Sequence, residues 1–241
     1  MMRRVARSAM LAGGLLLLSA GLAAQPPPVA AEPAPPVGLL VPGGDLGDAA
    51  PPTGAESWYG LYHAATGGFE LRRATLRLGK ITHCGATVPG LIATDPPGAF
   101  IVVSGLGAVR EGPAATAFFG HRFLRPGESL EVRLRDAAPA RLSARADSVV
   151  QADDGPQFLR YALGLAPAGP GAADVFYRAS FGGDVLPEVV WVGDLDQDGR
   201  PDVLVRVPAA GYSTELRLFL SSFAPAPAQV KLVARHYEAG C

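Results

Sequence analysis

Short segments in which apolar and polar residues alternate constrain this 241-residue chain more than any other feature. Such alternation runs through residues 73–78, 130–135, 141–146 and 216–220. A period of two places alternate side chains on opposite faces of a strand, so these segments predict half-buried strands of antiparallel sheets. In the last segment this pattern places Phe219 on the exposed face. No apolar stripe of helical period extends over ten or more residues, so the chain is predicted to be all-β.

Two continuous apolar runs, Phe100 to Val103 and Val189 to Val192, predict strands that are buried on both faces. Turn-forming sequences rich in Pro, Gly and Asp separate the apolar segments. Roughly ten short strands with this spacing are typical of an antiparallel β-sandwich or of two small packed β-units.

The N-terminus has the pattern of a signal peptide. Arg3, Arg4 and Arg7 precede an uncharged stretch of Ala, Gly, Leu and Ser that ends near Ala23 and Ala24. The apolar stretch is shorter than the ~20 residues of a spanning helix, so cleavage after Ala23 or Ala24 is expected rather than a membrane anchor. We therefore predict that residues 1–24 are removed and that the mature protein is periplasmic or secreted.

Residues 25–54 contain nine prolines and no apolar periodicity, which predicts an extended or disordered linker. The β-rich globular region is expected to cover residues 55–241. A seam near 136–155 is possible, and residues 156–241 would then form a second unit. Removal of the three leader arginines leaves 18 basic residues against 22 acidic ones. A mildly acidic chain has no basic field with which to bind nucleic acid or anionic lipid.

The chain has two cysteines, Cys84 and Cys241. An oxidising compartment favours a disulfide between them, which would join the end of the chain to the body of the protein. The alternative is that Cys84, which follows His83, is a thiol nucleophile.

One motif carries recognisable chemistry. Residues 194–202 read Asp-Leu-Asp-Gln-Asp-Gly-Arg-Pro-Asp and follow an apolar run. Asp194, Asp196, Asp198 and Asp202 occupy positions 1, 3, 5 and 9 of a loop, and position 7 offers the backbone carbonyl of Arg200. Gly199 at position 6 allows the positive φ of a sharp turn, and apolar flanks predict a strand-loop-strand site.

Four carboxylates within nine residues repel one another unless a cation lies among them or their pKa values rise. Carboxylate and carbonyl oxygens are the ligands that calcium prefers, so the loop predicts a Ca²⁺ site. The alternative is an Asp- and Gly-rich turn that binds no metal. Position 12 is Val205, so the bidentate Glu of helix-loop-helix calcium sites is missing.

The stretch from Trp191 to Val205 resembles the calcium loop of FG-GAP and VCBS repeats, which occur in integrin α-chains and in secreted bacterial proteins. The resemblance implies a structural hairpin that holds a cation through Asp194, Asp196, Asp198, the Arg200 carbonyl and Asp202. Only one copy of the motif is present in the sequence.

No catalytic residue is predicted. The four histidines lack the short spacings of zinc ligands, and neither Ser104 nor Ser180 lies in a Gly-x-Ser-x-Gly motif. The favoured hypothesis is an exported, non-enzymatic β-domain with a structural calcium loop and an unknown protein or glycan partner. One alternative is an extracytoplasmic hydrolase of envelope polysaccharide or peptide that calcium stabilises. The other is an adhesion or carbohydrate-binding module that uses the aromatic residues Trp58, Tyr59 and Tyr62.

Overall fold

The structure is a computed structural model. It describes residues 37–47, 51–107, 109–135, 137–153, 155–169, 171–182, 185–209 and 211–240. The predicted signal peptide, residues 25–36 of the predicted linker and Cys241 lie outside these ranges. The described residues all belong to one compact unit.

Secondary structure in the described ranges consists of β-strands alone, and these ranges hold no helix that is long and apolar enough to span a membrane. The strands are β1 (Gly38–Leu40), β2 (Trp58–His63), β3 (Phe69–Arg73), β4 (Thr75–His83), β5 (Ala86–Asp95), β6 (Ala99–Ser104), β7 (Gly112–Ala114), β8 (Thr116–Phe123), β9 (Ser129–Val132), β10 (Ala140–Arg145), β11 (Ser148–Ala152), β12 (Gly155–Pro167), β13 (Asp174–Phe181), β14 (Glu188–Gly193), β15 (Asp202–Pro208), β16 (Thr214–Leu220) and β17 (Lys231–Glu238). The all-β prediction is confirmed.

These strands form three five-stranded antiparallel sheets and one hairpin. Sheet I has the order β1-β6-β2-β3-β7, and sheet II has the order β17-β16-β15-β14-β8. Sheet III has the order β11-β12-β10-β9, with β13 also paired to β12, and β4 pairs with β5 in the hairpin. Sheet III contains β9, which precedes the seam suggested near 136–155, and β13, which follows it, and the two are joined through β10 and β12.

Sheet II lies between sheets I and III. The core between sheets I and II includes Leu61, Leu71, Ile101, Trp191 and Leu218. The core on the other face of sheet II includes Leu142, Leu163, Val192, Val203 and Phe219. A third cluster packs the β4–β5 hairpin, through Leu76 and Leu91, against the outer face of sheet I. The layers are therefore the hairpin, sheet I, sheet II and sheet III, whereas the alternation predicts an antiparallel β-sandwich or two small packed β-units.

Sheet II is covered on both faces, and its sequence reflects this. All of β14 is buried, as the continuous run Val189 to Val192 predicts. The exposed position predicted for Phe219 is wrong, because only 1% of its surface is accessible. β16 alternates Leu216, Leu218 and Leu220 toward sheet I while Phe219 packs toward sheet III. Alternation indicates an exposed face only when no second layer covers that face.

Part of the predicted proline-rich linker is ordered. Residues 38–40 form β1, which pairs with β6 through Leu39 and Val103 at the edge of sheet I. The backbone N–H of Gly43 then donates to the carbonyl of Leu91 at 2.7 Å. The stretch from 37 to 41 contains no proline, so its backbone N–H groups can pair and its Leu side chains can be buried.

Candidate metal site

The candidate loop, residues 194–201, connects β14 to β15 in the middle of sheet II. The residue pair that closes the loop is Gly193, at the end of β14, and Asp202, at the start of β15. Leu195 is fully buried in the core between sheets I and II, so an apolar side chain fixes the start of the loop. The backbone N–H of Asp194 donates to the carbonyl of Ala115 at 2.8 Å, which ties this end of the loop to the start of β8.

The turn itself depends on two residues with positive φ. Gly199 has φ of 80°, as the sequence predicts for the sixth loop position, and Gln197 has φ of 63°. The Gln197 side chain holds its strained backbone in place through two hydrogen bonds to Arg110. Its Nε2 donates to the Arg110 carbonyl at 2.9 Å, and its Oε1 accepts from the Arg110 N–H at 3.2 Å. The loop is therefore braced against the segment that precedes β7.

Three of the four predicted carboxylates converge. Oxygen atoms of Asp194, Asp196 and Asp202 all lie within 4.8 Å of one another. Such a group of oxygens fits a hard divalent cation such as calcium, which takes six to eight oxygen ligands. The structure thus brings together positions 1, 3 and 9 of the loop, which are eight residues apart in sequence.

Asp202 is the most deeply buried member of the group, with none of its surface accessible. Its Oδ2 accepts from the Leu195 N–H at 2.7 Å, and its Oδ1 accepts from the Ser221 N–H at 2.8 Å. Burial raises the pKa of Asp202 well above its ordinary value, and the nearby Asp196 carboxylate adds to the rise, whereas the two N–H donors oppose it. A carboxylate in this position is costly to ionise without a cation beside it.

Asp196 contributes an oxygen with no partner among the described residues. Its Oδ2 accepts a hydrogen bond from the Ser222 hydroxyl, whereas its Oδ1 is buried and unpaired. Burial also raises the pKa of Asp196. Buried carboxylate oxygens are normally paired, so an unpaired one on a member of this acidic group is an observation that a bound cation would explain.

Asp194 uses its carboxylate to shape the turn. Its Oδ1 accepts from the Asp198 N–H and its Oδ2 from the Gly199 N–H, both at 3.0 Å. Burial is the largest cause of the raised pKa of Asp194, and these N–H donors partly offset it. The same side chain therefore closes the loop and presents oxygen toward Asp196 and Asp202.

Asp198 does not belong to the converging group. Its carboxylate accepts from the backbone N–H of Arg200 at 2.8 Å and from the Arg200 guanidinium at 2.8 and 3.0 Å. It also accepts from the Ser221 hydroxyl. The regular spacing predicts a ligand at this position, and that part stays a prediction; in the structure the Asp198 oxygens contact Arg200 and Ser221. The part predicted for the Arg200 carbonyl oxygen stays a prediction.

Sequence reasoning did not identify two residues of the site, Ser221 and Ser222. They follow β16 directly and lie about twenty residues beyond the loop, so no spacing rule relates them to it. The only sequence signal is a polar pair immediately after the buried strand.

A histidine with an acidic partner lies elsewhere in sheet II. His121 Nδ1 is 2.6 Å from Glu188 Oε1, and the other Glu188 oxygen accepts from Arg206 Nη1 at 2.6 Å. Arg206 Nε in turn donates to Glu238 at 2.8 Å. This chain of charged groups crosses β8, β14, β15 and β17 at the end of β14 that is remote from the metal loop.

The remaining predicted residues occupy less informative positions. Trp58, Tyr59 and Tyr62 are 8%, 9% and 4% exposed, so they belong to the cores and offer no surface for sugar rings. The Sγ of Cys84, in the turn between β4 and β5, lies 3.5 Å from the carbonyl oxygen of Gly240. Because Cys241 lies outside the described residues, its disulfide with Cys84 stays a prediction.

The segment that contains this site matches a known class of repeat. Residues 188–216 match the family model described as the FG-GAP repeat, which confirms the resemblance to that repeat. The match begins at β14, contains the whole loop and ends within β16. No curated protein and no solved structure matches the chain.

Proposed function

We propose that this protein is an exported, non-enzymatic β-domain in which the 194–202 loop binds calcium and stabilises the fold. The carrying observation is the convergence of Asp194, Asp196 and Asp202, together with a buried Asp196 oxygen that has no partner among the described residues. The FG-GAP match adds support, since these repeats often bind calcium.

Calcium would act on the electrostatics of the loop. Asp194, Asp196 and Asp202 would hold the ion, with the Arg200 carbonyl as a further oxygen donor. The ion would supply the positive charge that these three carboxylates lack, so that each can stay ionised while buried. A ligand that binds the folded state alone stabilises it in proportion to the logarithm of its concentration over Kd.

The loop contacts several neighbouring segments, so stabilising the loop would also stabilise them. It joins β15, the central strand of sheet II, to its neighbour β14, and Gln197 and Asp194 connect it to the segments on either side of β7. A cation that fixes the loop would therefore also fix the chain that passes from sheet I into β8.

Export is part of the proposal. It rests on the basic and apolar leader at residues 1–24 and on the FG-GAP match, because domains with this repeat are usually extracellular or exported. The carboxylate count without a bidentate Glu favours the weaker calcium sites of extracellular modules, with a Kd on the order of 10⁻⁵ to 10⁻³ M.

A hydrolase is the second candidate, because the His121–Glu188 pair resembles the orientation of a general base by an acid. Glu188 also pairs with Arg206, however, which gives its carboxylate a structural partner within sheet II. The cleft of about 610 Å³ near this end of β8 is lined by Phe123, Val149, Phe158 and their neighbours, and neither His121 nor Glu188 lines it. These contacts favour a structural role for the pair.

Titration calorimetry with the mature chain tests the proposal. We expect one calcium site in the stated range and weaker binding of magnesium, which prefers a smaller and partly hydrated site. Asp196→Ala should abolish the binding heat, because it removes one of the three converging carboxylates. Asp153→Ala is the matched control, since Asp153 is an exposed aspartate in the turn between β11 and β12. Equal calcium binding by both variants, or none by the wild type, would overturn the proposal.

A further inference from the structure

The connection between β16 and β17 contacts the metal loop through two consecutive serines, Ser221 and Ser222. The Ser222 hydroxyl bonds to Asp196 Oδ2. The Ser221 hydroxyl lies 2.9 Å from both oxygens of Asp198 and 3.1 Å from Asp202 Oδ1. Two serines thus contact three of the four carboxylates in the loop.

The backbone of the same connection adds to these contacts. The Ser221 N–H donates to Asp202 Oδ1 at 2.8 Å, and Arg200 Nη2 donates to the Ser221 carbonyl at 2.7 Å. Ser221 is fully buried, and its bond to Asp202 is shielded from water, whereas its bonds to Asp198 are partly buried. The contacts run in both directions, from the serines to the aspartates and from Arg200 to Ser221.

We propose that Ser221 and Ser222 are positioning residues of the calcium site, and that the site consists of two loops rather than of the 194–202 loop alone. This inference rests on the calcium binding proposed above. It goes beyond the FG-GAP match, which ends at Leu216, before either serine.

The two serines act on different carboxylates. Ser222 fixes the Asp196 side chain through Oδ2, and the buried Oδ1 keeps no partner among the described residues. Ser221 fixes Asp202 and holds Asp198 beside Arg200, outside the group. Groups that orient metal ligands in this way reduce the conformational entropy that the ligands lose on binding. Removal of such groups typically weakens metal affinity by 10- to 100-fold.

The arrangement also gives calcium a second structural effect. A cation held by Asp196 and Asp202 would fix these two carboxylates, to which Ser222 and Ser221 are hydrogen-bonded. Binding would therefore order the start of the β16–β17 connection together with the β14–β15 loop. Two segments that are distant in sequence would then be held together at the ion.

Calcium titration of serine variants tests the inference. Ser222→Ala and Ser221→Ala should each raise the calcium Kd about 10-fold or more, whereas Ser222→Thr, which keeps the hydroxyl, should restore the wild-type constant. Ser129→Ala is the matched control, because Ser129 is an exposed serine on β9 of sheet III. Far-ultraviolet circular dichroism at the titration temperature shows that each variant is folded. Since Ser222 is exposed, its variants keep the test valid if Ser221→Ala does not fold.

The outcomes separate the two proposals. A wild-type chain that binds no calcium removes the proposed function and this inference together. A wild-type chain that binds calcium, with Ser222→Ala binding as tightly as Ser129→Ala, overturns the role of the second loop and leaves the calcium site in place. A loss of affinity in Ser222→Ala that Ser222→Thr does not restore would assign the effect to changed packing and would also overturn the inference.

Discussion

At the scale of single residues, the four aspartates of the loop have two different tasks. Asp194, Asp196 and Asp202 converge, and burial raises the pKa of each. Asp198 is paired with Arg200 and stabilises the turn. A cation bound by the first three residues would therefore compete with protons for their oxygens, whereas Asp198 has a counter-charge in Arg200.

Phe219 provides a test of the layer arrangement at this scale. Phe219→Ala should lower the free energy of unfolding by about 3–5 kcal/mol, because the side chain is 1% exposed and its removal leaves a cavity in the core. Phe123→Ala, at a residue that is 54% exposed on edge strand β8, is the control and should cost less than about 1 kcal/mol. Urea unfolding measures both values. Similar small losses in the two variants would mean that no third sheet covers β16.

At the scale of elements, the β14–β15 hairpin is held by its neighbours as much as by its own turn. Its strands lie at the centre of sheet II, Gln197 bonds to Arg110, and the β16–β17 connection contacts the loop through its serines. The sequence predicts a local strand-loop-strand hairpin, and in the structure the strands of this hairpin belong to the core of the fold.

The turn of the β4–β5 hairpin allows a prediction about a disulfide in this protein. The turn of this hairpin places Cys84 beside Gly240, the residue before Cys241, so we expect a Cys84–Cys241 disulfide in exported protein. The bridge would close a loop of more than 150 residues and stabilise the fold by about 5 kcal/mol in the chain-entropy model. Cys84→Ser, Cys241→Ser and the double variant should all lose the same amount of stability, because each removes the same bond. Additive losses in the double variant would contradict a disulfide between the two.

At the scale of the whole molecule, the sequence predicts the class of fold and the place of the loop, but not the number of layers. The alternation of polar and apolar residues predicts strands, and the Asp spacing predicts the loop, because both patterns are local. Phe219 shows the limit, since whether a face is covered depends on sheet III, whose strands lie far away in sequence. The same holds for Ser221 and Ser222, whose contacts with the loop arise from the pairing of β15 with β16. The ordered strand β1 within a proline-rich segment likewise depends on its partner β6.

Thermal unfolding of the mature wild-type chain in ~1 mM calcium and in excess chelator is the most direct test of calcium binding at residues 194–202. With a Kd near ~10 μM, linkage gives about 2.7 kcal/mol of stabilisation. For a chain of this size we expect a Tm higher by about 5 to 10 °C in calcium, with a smaller rise in magnesium. Identical melting curves in calcium and in chelator would mean that residues 194–202 form an acidic turn without a stabilising ion, and would overturn the proposed calcium site.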